Sequence, residues 1–111
     1  MTQALFSYGT LREGAVQRAI FGREIAGAPD AVVAHRLRTQ VITGAKAIAI
    51  SGRAEHTVLE PTGDPRDQVE GVVFHRTDAE LAEADAYEDK AYHRVRLRLR
   101  SEIDAWVYAK A

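Results

Sequence analysis

Phe6-Ser7-Tyr8-Gly9-Thr10-Leu11-Arg12 is the stretch on which the fold turns. The apolar run Ala4-Leu5-Phe6 leading into it is rich in strand formers. After it Val16, Ala19 and Ile20 recur at helical spacing, with Phe21 close behind and Gly22 as a natural stop. The stretch therefore reads as a strand, a tight turn at Gly9 and a short helix. A glycine at such a corner frees the backbone, so that successive N–H groups can converge on a small anion such as a carboxylate. The same residues also serve as an ordinary strand-to-helix turn that binds nothing, and a single glycine does not separate the two. With no second and third glycine and no following lysine, neither a dinucleotide fingerprint nor a phosphate loop is present.

Working outward, residues 25–37 read as an interrupted strand with a turn at Pro29-Asp30 and a buried run at Ala31-Val32-Val33. Arg36, Arg38 and Gln40 then alternate with Leu37, Thr39 and Val41, the pattern of a strand with one wet face. Residues 45–50 form a further strand candidate ended by Ser51-Gly52, and Pro61, Gly63, Asp64 and Pro65 place a solvent loop over residues 60–67. Residues 69–75, with Val72, Val73 and Phe74 contiguous, read as the central strand, in which Gly71 marks a close approach of another backbone.

Thr77 precedes Glu80 by three residues, the offset of a capping box, and starts a second helix that runs to about Tyr87. Leu81, Ala84 and Glu88 fall at i, i+3 and i+7, so a helix that buries Leu81 carries Glu88 toward the same interior, while Glu80 and Glu83 face water. His93-Arg94-Val95-Arg96-Leu97-Arg98-Leu99-Arg100 alternates strictly, with Val95, Leu97 and Leu99 on one face and four arginines on the other. Ser101-Glu102 is the next turn, and Ala105-Trp106-Val107-Tyr108 a last strand antiparallel to its predecessor. The sum is an α+β chain of six to seven short strands with two helices, whose strands close or nearly close on themselves to protect their edges.

Composition narrows the chemistry. The 111 residues, 46% apolar and 28% charged, are expected to form one domain over residues 1–111 with a sizeable core. A net charge of −1 provides no field for nucleic acid or an anionic membrane. No cysteine is present, which removes disulfides, thiolate metal sites and cysteine nucleophiles. No apolar run reaches the roughly 18 residues of a membrane span and the start lacks signal-peptide character, so a cytoplasmic protein is expected.

The histidines at 35, 56, 75 and 93 make no short ligand pair, so no metal is expected; His56 is placed in a loop. Ser7 and Ser51 lack a nucleophile-elbow setting. The arginines at 94, 96, 98 and 100 could grip phosphates or simply guard an exposed strand face; without a wider basic patch, no nucleic-acid partner is expected. Asp85 and Glu88 remain. A carboxylate on an inward helical stripe loses hydration, which raises its pKa and poises it for proton transfer. Alternatively Glu88 frays into water at the helix end, or Arg94 neutralises it.

Two segments taken together, Tyr8-Gly9-Thr10-Leu11-Arg12 and Asp85-Ala86-Tyr87-Glu88 followed by Tyr92-His93-Arg94, resemble the paired signatures of the gamma-glutamyl cyclotransferase-like family. The residues from Val16-Gln17 to Phe21-Gly22-Arg23, Gly71 in its strand and the closing Ala105-Trp106-Val107-Tyr108 are similar to small bacterial members. The resemblance implies a small mixed β-barrel with flanking helices and a pocket for a small gamma-glutamyl substrate, served by neither metal nor organic cofactor. It implies Glu88 as the acid/base. It further implies that Tyr8, Gly9, Thr10 and Leu11 hold the substrate's α-carboxylate through backbone groups, with Tyr92 lining the pocket. Ala84 stands where leucine is usual and Asp89 where many relatives have glycine, and residues 44–67 show no match.

The expected reaction releases 5-oxoproline from a gamma-glutamyl amine or small gamma-glutamyl peptide. The substrate's own α-amine attacks its γ-carbonyl, Glu88 takes the amine's proton and returns it to the leaving group. The alternative is a non-catalytic module that binds a small carboxylate or amine metabolite in the same pocket. The residues leave the oligomeric state open.

Overall fold

The computed structural model describes residues 2–41, 55–87 and 92–110. In chain order they form β1 (Thr2–Ser7), a 3-10 turn (Thr10–Arg12), α1 (Gly14–Phe21), β2 (Ala28–Val33), β3 (His35–Val41), β4 (Glu55–Pro61), β5 (Gln68–Thr77), α2 (Asp78–Tyr87), β6 (Tyr92–Arg98) and β7 (Asp104–Lys110). The fold is α+β, with seven strands and two α-helices among the described residues. Five strands make one mixed sheet in the order β2-β5-β1-β7-β6, and β3 with β4 makes a separate antiparallel ribbon.

The loop at Tyr8 leaves the middle of the large sheet. β1 pairs antiparallel with β5, Phe6 opposite Val73, and parallel with β7, Leu5 opposite Trp106. Because side chains alternate along a strand, β1 sends Phe6 to one face and Leu5 to the other. Phe6 packs with Val32, Val69, Val73, Leu99, Ala105 and Val107, and Leu59 of the ribbon joins this cluster. Leu5 and Tyr108 pack on the helix side with Leu11, Leu81 and Ala84, against which Val16, Ile20 and Phe21 of α1 also rest. At Gly71 the central strands leave no room for a side chain: a Cβ there would lie 2.3 Å from the Ser7 carbonyl oxygen and 2.6 Å from Phe6 Cζ.

Several expectations hold in detail. The capping box forms, with the Glu80 amide donating to Thr77 Oγ1 at 3.2 Å and the Thr77 amide donating back to Glu80 Oε1 at 3.3 Å. β6 and β7 pair antiparallel, Val95 opposite Val107, across a turn in which the Glu102 amide donates to the Leu99 carbonyl at 2.9 Å.

Others are corrected. Pro29-Asp30 is not a turn: both lie inside β2, opposite Val72 and Gly71. The strand tolerates proline because β2 is an edge of its sheet, where a missing N–H costs no ladder bond. The interruption falls instead at Ala34, whose φ is 60°. His56 sits in β4 opposite Gln40 rather than in a loop. Glu80 does not face water, being held against Arg76 Nη1 at 3.0 Å with its side chain 17% exposed. The expected barrel is not shown: among the described residues the large sheet is not closed by hydrogen bonding. Its two ends meet at one point, an antiparallel bridge between Val32 and Leu99, reinforced by the Arg100 amide donating to the Ala31 carbonyl at 2.7 Å. The strand candidate at 45–50 and the acid/base candidate Glu88 lie outside the described residues. Among the described residues no helix is long and apolar enough to cross a membrane.

Candidate active site

The turn after β1 is held from behind by its own arginine. Arg12 Nη2 donates to the Tyr8 carbonyl at 3.0 Å and Arg12 Nε to the Gly9 carbonyl at 3.1 Å, while the Arg12 amide closes the 3-10 turn on the same Gly9 oxygen at 3.2 Å. The Gly9 amide donates to Ser7 Oγ at 3.2 Å, and Ser7 itself is buried. Gly9 differs from the expectation, since the glycines with positive φ are Gly22 and Gly63. A Cβ built at Gly9 meets no atom of the described residues within 4 Å. Among the described residues, therefore, neither a left-handed backbone nor packing demands glycine at position 9, and none of them fills the space its absent side chain leaves.

Gln17 anchors the far end of the loop. It is the buried residue of α1, its Nε2 donating to the Leu11 carbonyl at 2.9 Å and its Oε1 accepting the Ile25 amide at 2.8 Å. Both ends of a buried amide are thus satisfied, and the 3-10 turn is tied to the segment that follows α1. Leu11 points its side chain into the helix-side cluster, so the loop is fixed by apolar packing as well.

Tyr8 reaches across to the last strand, its hydroxyl donating to the Tyr108 carbonyl at 2.7 Å. The Tyr108 hydroxyl in turn donates to Asp85 Oδ1 at 2.6 Å, and the same carboxylate receives Arg94 Nε at 2.8 Å. Tyr92, at the start of β6, is half-buried against the cluster that holds Leu11, Leu81 and Tyr108. Leu11 and Tyr92 thus share the helix-side cluster with Tyr108 and Leu81, whereas Tyr8 packs against the Phe6 cluster on the other face and meets Tyr108 at its backbone carbonyl. Thr10 opens the 3-10 turn. Arg94, a candidate partner for Glu88 by sequence, is engaged with Asp85.

The rest of the arginine stripe is engaged too. Arg94 and Arg96 both stand over the Trp106 ring, their guanidinium carbons 4.9 and 5.0 Å from its centroid, while Arg98 meets Asp104 at 2.9 Å and Arg100 meets Glu70 at 2.8 Å. The Trp106 indole N–H donates to Gln3 Oε1 at 2.7 Å.

Arg12, Gln17 and Tyr108 were not singled out by sequence as parts of the site. Gln17 carried a signal, a polar residue one position from Val16 on the stripe completed by Ile20. Tyr108 carried another, sharing a strand face with Trp106. The partners they choose are far away in the chain, and local pattern does not name them.

The chain belongs to the gamma-glutamyl cyclotransferase, AIG2-like family, whose model matches residues 5–111. No curated protein sequence matches it. Among solved structures, it resembles one described as a gamma-glutamyl cyclotransferase, at 16% identity and a TM-score of 0.70, over 100% of this chain and 68% of that one. A solution structure from Arabidopsis thaliana aligns at 21% identity and a TM-score of 0.70, over 99% of this chain and 62% of the other. A crystal structure of an uncharacterized Homo sapiens protein aligns at 15% identity and a TM-score of 0.73, over 99% and 67%. The chain thus spans about two thirds of the length of these structures, and at such identities the likeness concerns the fold.

Proposed function

We propose that this protein is a cyclotransferase that releases 5-oxoproline from a gamma-glutamyl amine or a small gamma-glutamyl peptide. The observation that carries the reading is that Tyr108 links the Tyr8 loop to α2, its carbonyl accepting the Tyr8 hydroxyl and its own hydroxyl donating to Asp85, three residues before Glu88 in the chain. It ties the two halves of the family signature together, and the family match over residues 5–111 supports the same chemistry. The backbone of Tyr8, Gly9, Thr10 and Leu11 holds the substrate's α-carboxylate in the space that the missing side chain at position 9 leaves, and Tyr92 forms part of the wall. The barrel enclosing that pocket is proposed on the same footing, supported by the Val32 to Leu99 bridge between the ends of the sheet.

In the reaction the substrate's α-nitrogen forms a bond to its own γ-carbonyl carbon, and the bond from that carbon to the leaving amine breaks. Glu88 removes the proton that the α-nitrogen must lose and delivers it to the departing nitrogen. General acid/base catalysis of this kind contributes about 10²–10⁴-fold. Holding the flexible glutamyl chain in its ring-closing conformer contributes several kcal/mol more, up to roughly 7–11 in favourable cases. No cofactor is needed, because nucleophile and electrophile belong to one molecule.

The test is a panel of gamma-glutamyl amines and dipeptides assayed for 5-oxoproline with the wild-type chain and Glu88→Gln. Turnover by the wild type that falls at least about 10²-fold in Glu88→Gln, with the melting temperature preserved, supports the reading. Saturable binding of panel members without turnover replaces it with a metabolite-binding module, and undiminished turnover in Glu88→Gln removes Glu88 from the mechanism.

A further inference from the structure

Among the described residues, both carbonyls that the Arg12 side chain bonds belong to the loop to which the proposed function gives the substrate's carboxylate. The side chain grips the Tyr8 oxygen with Nη2 and the Gly9 oxygen with Nε, at 3.0 and 3.1 Å. A trans peptide group is planar, with its C=O and N–H pointing in opposite directions. Turning the Gly9 carbonyl onto Arg12 therefore turns the Thr10 N–H away from it. The Gly9 amide, whose carbonyl partner is Tyr8, is already directed to Ser7 Oγ. A cation bonded to a carbonyl also draws electron density through the peptide and makes the opposite N–H a stronger donor. The side of the loop away from Arg12 thus presents an oriented, polarised Thr10 amide, next in the chain to Gly9, whose added Cβ would meet none of the described residues within 4 Å.

We propose that Arg12 is a positioning residue for carboxylate binding, acting from the rear of the loop by fixing and polarising the Gly9–Thr10 peptide, without touching the substrate. The inference rests on the cyclotransferase reading of this loop and deepens it. Arg12 is exposed, and its contacts run to carbonyls of its own turn, so its removal leaves both apolar clusters intact.

A distant cation could also attract the carboxylate merely through its charge, and lysine separates the two mechanisms. Lysine keeps the charge but presents a single point donor in place of the planar fork that reaches two carbonyls at once. The experiment compares wild type, Arg12→Met and Arg12→Lys, using γ-glutamylalanine for turnover, 5-oxoproline for equilibrium binding and the Thr10 backbone amide resonance of the ligand-free protein as a local reporter. The expected result is a rise in KM of about tenfold in both variants with kcat within about threefold, and melting temperatures within about 2 °C of wild type. The Thr10 amide proton moves upfield in both as its donor strength falls. Full recovery of KM by Arg12→Lys overturns the proposal in favour of simple charge attraction, and an unmoved Thr10 amide overturns it as well.

Failure of the wild type to turn over any gamma-glutamyl compound removes the cyclotransferase reading separately. Arg12 is then decided by 5-oxoproline alone. Weaker binding in both variants supports the positioning role, and equal affinity, or no binding to any form, ends it.

Discussion

The Tyr108 hydroxyl donates to Asp85 Oδ1 at 2.6 Å, and that same oxygen accepts Arg94 Nε at 2.8 Å, so one carboxylate joins β7, α2 and β6. Asp85 is thereby committed to holding elements together, whereas Glu88 is the residue proposed for proton transfer. Substituting Tyr108→Phe removes a hydrogen bond to a charged group. The Asp85 side chain is 41% exposed, so water replaces part of the loss, and a cost of about 1 kcal/mol is expected. For a chain of this size that lowers the melting temperature by roughly 5 °C. Asp85→Asn should behave similarly in urea unfolding. Glu88→Gln should leave the unfolding midpoint in place while turnover falls, and this contrast separates the anchoring acid from the working one.

Two glycines should respond in opposite ways to the same added methyl group. At Gly71 a Cβ would meet the Ser7 carbonyl oxygen at 2.3 Å and the Phe6 ring, backbone and core that have little room to give. Gly71→Ala is expected to cost about 3 kcal/mol or more, read as a loss of melting temperature or of soluble protein. At Gly9 the added atom meets nothing among the described residues within 4 Å, and the backbone does not need a left-handed conformation. Gly9→Ala should leave the melting temperature unchanged or slightly raised, because alanine restricts the unfolded chain by about 0.4–1 kcal/mol. Its effect should appear in KM, as the methyl intrudes on the space assigned to the carboxylate.

What the sequence makes legible is what neighbours in the chain decide between themselves. Thr77 and Glu80 name the start of α2 because a capping box is completed within four residues, and the alternation through Val95, Leu97 and Leu99 names β6 because it repeats locally. Pro29 is misleading for the complementary reason. Proline usually marks a turn, and only the position of β2 at the edge of the sheet makes it acceptable in a strand. The Tyr8 loop was visible as a turn of special composition, yet its fastening to Tyr108 spans 100 positions, and the Tyr108 to Asp85 bond spans 23. No periodicity encodes such partners. The engagement of each arginine of the β6 face with a particular acid or ring was equally hidden, since alternation shows which side a residue faces and not what waits there.

The capping box supplies a third prediction. Thr77 Oγ1 accepts the Glu80 amide and also contacts Glu80 Oε1 at 3.2 Å, so Thr77→Ala removes the acceptor for one of the orphan amides at the helix start. A loss of about 1 kcal/mol is expected in urea unfolding. Thr77→Ser, which keeps the oxygen, should recover most of it. No recovery with serine would mean that the methyl group rather than the cap carries the stabilisation.

Acid should unfold the protein partly through Asp30. Its carboxylate is 4% exposed in β2, and burial alone would disfavour its charge. Hydrogen bonds from the Ser101 hydroxyl at 2.5 Å, from the Ala31 amide at 2.8 Å and from the Ser101 amide at 3.3 Å, with the field of Arg100, outweigh burial and hold its pKa below the ordinary 3.8. Glu80 is displaced the same way: burial opposes its charge, but the Thr77 amide and hydroxyl and the fields of Arg76 and Arg23 more than compensate. A carboxylate with a lower pKa in the folded state stabilises the fold above its unfolded pKa, and that contribution disappears as pH falls through the folded value. Wild-type melting temperature should therefore decline as pH drops below about 4. Asp30→Asn should start lower at neutral pH and decline less, because asparagine has no proton to gain. Its Oδ1 can still accept the Ala31 and Ser101 amides, but its Nδ2 donates where Oδ2 accepted, so the Ser101 hydroxyl must turn round and the charge-assisted bonds are lost. Since these bonds join β2 to the turn beyond β6, Asp30→Asn should further speed hydrogen exchange at Arg100, whose amide donates to the Ala31 carbonyl where the ends of the sheet meet. Parallel acid limbs for wild type and Asp30→Asn would place the titrating group elsewhere.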